Sequence, residues 1–121
     1  MVAAIFLLVV LAALGAFMVT FSNTQHMTSA QDIQGSRAYW AARAGTAWVI
    51  GSISATPTAC PASPTTFSVD GFALSVTCVL TQYDEGGIVK RVFNITSTAA
   101  TGGAVGNIGR VERSLSATVE Y

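Results

Sequence analysis

Two cysteines, one histidine and six acidic side chains are where this 121-residue chain would first find a metal site, a nucleophile or a proton relay. Cys60 and Cys78 could be metal ligands, a reactive thiol pair or a disulfide. A metal site wants three or four ligands, and the only histidine, His26, lies far from both cysteines along the chain. A reactive thiol wants a base beside it, and none is visible in the neighbouring sequence. His26 by itself lacks the nucleophile and orienting carboxylate that hydrolytic chemistry needs. Asp84 and Glu85 suggest a calcium pair, yet adjacent acids ahead of Gly86-Gly87 fit solvated turn formers better. Asn94-Ile95-Thr96 matches a glycosylation sequon but falls inside a strand pattern rather than a loop. No phosphate-, dinucleotide- or metal-binding motif is present, so the chain reads as a non-enzyme without a cofactor.

Composition narrows the classes further. Half of the residues are hydrophobic, 51%, only 10% are charged, and mean hydropathy is +0.54. That balance is too apolar for an ordinary soluble domain and the reverse of a disordered chain. Six basic residues offset six acidic ones, which argues against binding nucleic acid or anionic lipid through a basic patch.

The elements that position these residues begin with an apolar run. Met1 to Val19 carries no polar side chain, and the first charge is Asp32. As a helix rising about 1.5 Å per residue, nineteen residues span roughly 28 Å, the hydrocarbon thickness of a bilayer. A secretory signal peptide would place Lys or Arg ahead of the run and a cleavage site after it. A soluble core helix would need a larger domain to cover all of its sides. The sequence beyond Thr20 turns polar and Ala-rich with no proline before Pro57, so a single helix is expected over residues 1–53. Its second half is amphipathic, and Ile33, Trp40, Ala44 and Trp48 mark the stripe expected to pack on a sheet. The two tryptophans read as packing anchors rather than a ligand platform.

Residues 54–66 hold all three prolines and no charge, a connecting loop. Asp70-Gly71 then signals a hairpin turn, and Phe72, Leu74, Val76, Cys78 and Leu80 alternate with smaller or polar residues as a half-buried strand. A turn at Tyr83–Gly87 leads into a strand over 88–98, with Val89, Phe93 and Ile95 on its inner face and Arg91 breaking the alternation. After a Gly-rich loop over 101–107, Val111, Leu115, Ala117, Val119 and Tyr121 face one way in the last strand, with Arg113 as the intruder. The expected fold is α+β: a long N-terminal helix packed on an antiparallel sheet of three or four strands over 67–121. Roughly 30 residues of helix would extend beyond the head, about 45 Å of apolar rod, whose homes are a bilayer or the core of a helical polymer. With the charged half outside the membrane, Cys60 and Cys78 read as a disulfide. Closing that loop would contribute about 3 kcal/mol.

The run MVAAIFLLVVLAALGAFMVT, followed by QDIQGSRAYWAARAGTAWVIGSI, resembles the N-terminal helix of type IV pilin-like proteins, most closely the MshP/PilX group of minor pilins of MSHA-type pilus biogenesis. The segment Arg37-Ala38-Tyr39-Trp40-Ala41-Ala42-Arg43-Ala44-Gly45 is its most distinctive part. The Cys-containing strand, the YDEGG turn and the closing RVERSLSATVEY extend the likeness over nearly the whole chain. The resemblance implies a precursor cut by a prepilin peptidase on the cytoplasmic side and methylated at the new N-terminus, with Met1 the candidate position. It also implies extraction from the inner membrane by the pilus assembly machinery into a filament cored by these helices. Val2, Ile5, Leu8, Ala12, Gly15 and Val19 would then pack against other pilin subunits. The sequence opens at Met1 with no leader, which is expected of a processed form or of a record lacking the first residues.

Major pilins usually carry a glutamate near position five, where this chain has Ile5, and no acid precedes Asp32. A paired carboxylate in that apolar core sets axial register, so its absence points to a minor subunit placed by other means, in assembly or initiation. The alternatives are a major subunit, a secretion-system pseudopilin, and a bitopic membrane protein whose exported domain binds a periplasmic partner. Surface contacts, adhesion included, would fall to the loops at 56–66, 84–87 and 101–107.

Overall fold

The computed structural model describes residues 1–107 and 109–121, Met27 by its backbone only. The chain is α+β, and the described residues form one helix, α1 (Val2–Ala55), and four strands, β1 (Thr65–Val69), β2 (Phe72–Glu85), β3 (Ile88–Thr101) and β4 (Val111–Glu120). The helix ends two residues later than the sequence suggests and the connecting loop is correspondingly shorter, because β1 starts at Thr65. Two compact units divide the chain, residues 1–33 and residues 34–121.

The first unit is helical, and every side chain described in it is exposed. Thr20, Thr24 and Thr28 each donate a hydroxyl hydrogen bond to the carbonyl four residues back, on Ala16, Thr20 and Thr24, at 2.9 to 3.0 Å. Three hydroxyls at four-residue spacing thus line one side of the helix just beyond the apolar run, each satisfied without leaving it.

In the second unit the strands form one antiparallel meander in the order β1-β2-β3-β4. Both tight hairpins have two central residues at positive φ, Asp70 and Gly71 in one and Gly86 and Gly87 in the other. This is the turn whose twist matches paired strands, and it explains why β2 and β3 run to the very edge of the second turn. Asp84 Oδ1 also accepts the Gly87 N–H at 2.7 Å.

One face of the sheet lies under the helix. Ala38, Ala41 and Ala42 pack with Phe72, Leu74 and Ala99, while Val49 and Ile53 pack with Val76, Cys78, Phe93 and Ile95. Small helix residues sit over the large rings and branched chains of β2, and larger ones follow toward the helix end, so the two surfaces fill each other's relief. The alternation read from Phe72 to Cys78 is buried as expected, and so are Phe93 and Ile95. Val89 shares their face but is exposed. The last helix residue in the core, Ile53, packs around Phe93 and Cys78, and β3 begins well beyond that point.

The opposite face is studded with hydroxyls. Ser75 pairs with Thr98, and Thr98 with Ser114; Thr77 pairs with Thr96, and Thr96 with Ser116. Thr98 Oγ1 donates to Ser114 Oγ at 3.1 Å, and Thr118 Oγ1 to Asn94 Oδ1 at 3.0 Å. Such cross-strand pairs are the local bonds that let a polar, β-branched face remain ordered in water.

Candidate functional site

Three features bear on function: the apolar run of the first unit, the helix–sheet packing of the second, and the loop clasp at the cysteines. Along the run, Val2, Ile5, Leu8 and Val19 are exposed, as are Met1, Ala12 and Gly15. Val2–Ala55 is the one helix, among the described residues, long and apolar enough to cross a membrane. Bare apolar side chains over this length are what lipid tails or other apolar helices cover.

The stripe expected to meet the sheet is not the one that does. Trp40 is 58% exposed and Trp48 43%, while Ile33 and Ala44 are exposed as well. The buried line is instead Gly35, Ala38, Ala42, Gly45, Val49 and Ile53, at spacings of three and four on the opposite side of the helix. Helix and sheet approach so closely there that only small residues fit. A Cβ on Gly45 would lie 3.0 Å from Leu74 Cδ2 and 3.1 Å from Val76 Cγ2, and it would collide with Ser97 Oγ. Gly35 likewise makes room for the Arg113 guanidinium, whose Nη2 is 3.0 Å from where a Cβ would stand. That explains the intruding arginine in β4. Trp48 reaches the sheet only at its rim, with its ring 5.6 Å from that of Phe67 in β1.

Outside the core, polar contacts pin the helix at both ends of the head. Arg37 bonds the Asp70 carboxylate at 2.9 to 3.0 Å, and Ser54 Oγ shares a 2.8 Å hydrogen bond with the Tyr121 hydroxyl. Exposed pairs of this kind contribute at most about 1 kcal/mol each. Their value here is in fixing where the helix rests on the sheet.

Cys60 and Cys78 form a disulfide with Cα atoms 5.7 Å apart across 18 residues of chain. Cys60 packs against the Val49–Phe93 cluster, and the Cys78 N–H donates to Ser63 Oγ at 3.1 Å. The proline-rich loop is thereby fastened to β2 by a covalent and a hydrogen bond. No group of three or more His, Cys, Asp or Glu side chains that could hold a metal occurs among the described residues. Of the singled-out polar residues, Asp84 and Glu85 lie at the β2–β3 hairpin and Asn94 within β3. His26 lies in the first unit.

No family model, no curated protein and no solved structure matches this chain. Its functional reading therefore rests on its own residues and geometry.

Proposed function

We propose that this chain is a structural subunit of a type IV pilus, a minor pilin acting in pilus assembly or initiation. The observation that carries the reading is a single helix that changes its role along its length. Its first nineteen residues are wholly apolar and exposed, and its last third is the packing helix of a four-stranded sheet. In such a subunit the apolar part resides in the inner membrane before assembly. It then exchanges lipid for the helices of neighbouring pilins, so it stays in apolar surroundings throughout. Ala and Gly along the run, at Ala12 and Gly15 among others, allow close helix approach once lipid is left behind. The disulfide-clasped head suits an oxidising, extracytoplasmic compartment. Ile5 in place of a register-setting carboxylate favours the minor role over the major one. The role needs no catalysis and no cofactor.

The test is deletion of this chain in its native cells, with surface filaments counted and the membrane pool of other pilins measured. Loss of filaments with that pool intact, reversed by returning the chain, is the expected result. Unchanged filament number would remove the assembly role. A bitopic anchor with a periplasmic partner is the second reading, supported by the same apolar span.

A further inference from the structure

A sheet has two edges, and this one guards only the first. β1 is five residues long, is preceded by Pro64, which has no N–H, and ends at the Asp70-Gly71 turn. Where β1 stops, the next N–H on that edge of β2, that of Cys78, is taken by Ser63 Oγ at 3.1 Å, and the Cys60–Cys78 disulfide holds the loop beside it. Since Cys78 and its alternate neighbours Val76, Leu74 and Phe72 face β1, only Thr66 and Ser68 of β1 turn their backbone groups outward.

β4 is the last strand of the sheet, and it is twice as long. Arg91 and Tyr121 exchange both backbone hydrogen bonds, at 2.8 and 2.9 Å, which sets the alternation for the whole β3–β4 ladder. Val111, Arg113, Leu115, Ala117 and Val119 therefore bond to β3. Glu112, Ser114, Ser116, Thr118 and Glu120 turn their N–H and C=O groups away from it, to a side where no strand lies. The register runs from Val92–Glu120 to Thr101–Val111 without a bulge, and Ser114 to Val119 holds no proline and no charge. The flanking charges are engaged inside the chain: Arg110 bonds Glu112, Lys90 bonds Glu120 at 3.2 Å, and Arg113 lies over Gly35. Neither a bulge nor a proline nor a free lysine, common devices against strand joining, interrupts this edge.

The two faces of β4 define what a joining strand must carry. On the helix side Val111, Leu115, Ala117 and Val119 are only half buried, whereas Leu74, Val76, Phe93 and Ile95 of β2 and β3 are buried, because α1 packs over those two strands. On the other side Ser114, Ser116 and Thr118 extend the hydroxyl rows of the sheet to its edge. A next strand with apolar side chains on one face and hydroxyls on the other would continue both surfaces. Only an extended peptide can meet the outward backbone pairs in step.

We propose that β4 accepts a fifth strand, an extended segment of a different subunit of the same filament, with alternating apolar and Ser or Thr side chains. A sparse subunit meets chains other than itself, so the donor is not a second copy. The proposal rests on the pilus-subunit reading and gives the head a directional contact, because backbone bonding fixes the donor's axis along β4.

The test places a photo-crosslinking residue at position 116 of the tagged full-length chain in native cells, with position 79 as the control. Val79 is exposed on the same outer face but lies on β2, two strands in from the edge. Captured segments are mapped by mass spectrometry in sheared filaments and in membranes. Capture from position 116, and not from 79, on one alternating segment of another filament subunit is expected. It should fall at least about tenfold in Ser114→Pro and persist in Ser114→Ala, because the Ser114 N–H faces the donor and proline removes it without touching the β3 ladder. Thr118→Pro should act alike, and unchanged resistance of the head to proteolysis shows that each variant folds. The contrast between positions 116 and 79 needs no substitution in the edge, so it decides the matter even for a proline variant that fails to fold. Equal capture from both positions, capture on a second copy, or capture untouched by either proline would overturn the proposal. The chain present in sheared filaments without capture at 116 defeats strand addition and leaves the pilus reading standing. The chain confined to membranes defeats the pilus reading, and the named donor with it.

Discussion

Ser97 and Gly45 set the distance between helix and sheet. Ser97 is fully buried, and its Oγ has no hydrogen-bond partner among the described residues. Removing that hydroxyl relieves a buried unsatisfied group, so Ser97→Ala is expected to stabilise the head by about 1 kcal/mol. Gly45→Ala has the opposite sign, about 1–3 kcal/mol of destabilisation, because the new methyl meets Ser97, Leu74 and Val76 together. Since they share one contact, the pair should be non-additive: Ser97→Ala removes the Oγ that the new methyl would meet and so should relieve part of the Gly45→Ala cost, leaving the contacts with Leu74 and Val76. Urea unfolding of the full chain in detergent, followed by tryptophan fluorescence, reads all of these. Cys60→Ser in the same assay should lose about 3 kcal/mol, the chain-entropy contribution of a loop this long. Loss well under 1 kcal/mol would mean that the loop is held in the unfolded chain by something else.

The helix is the element where sequence pattern and structure part company. Its apolar residues were legible, but not which side they serve. Trp40 and Trp48 dominate any count of hydrophobic surface, so a periodicity reading turns them toward the core. The sheet selects instead for closeness, and Ala38, Ala42 and Gly45 win because they are small. The difference can be measured. Ile53→Ala should cost about 2–5 kcal/mol, as a fully buried branched chain, whereas Trp40→Ala should change stability by no more than about 0.5 kcal/mol. The strands were easier to read because their period of two is strict. The alternation from Phe72 to Cys78 and the Asp70-Gly71 turn fixed the first hairpin outright. The ribbon end of β2 and β3 was less legible, since its exposed face pattern ends where the helix no longer covers it. A further expectation concerns the same helix once it is packed in a filament. Gly15 weakens it, and the Ser22–Gln25 side chains compete for backbone groups, so local melting is expected between them. Amide exchange in assembled filaments should be faster there than in the flanking turns. A fully protected helix through Thr28 would contradict this.

At the scale of the molecule, one chain combines an apolar helical run with a disulfide-clasped head of helix and sheet. The fold class was legible because a wholly apolar nineteen-residue run, a proline-rich break and alternating strands are each strong signals, and they occur in an order that admits few architectures. The exposure of Trp40 and of the hairpin end at 82–89 was not, because it follows only once the helix has chosen its buried side and β1 and β4 have stopped short along β2 and β3. The reading as a pilus subunit predicts where this protein is found. The most direct test is to quantify the chain in filaments sheared from native cells and in the membrane fraction, with its N-terminus read by mass spectrometry. The account predicts a trimmed, N-methylated chain in the sheared filaments, at a small fraction of the principal subunit. An unprocessed chain confined to the membrane would contradict it.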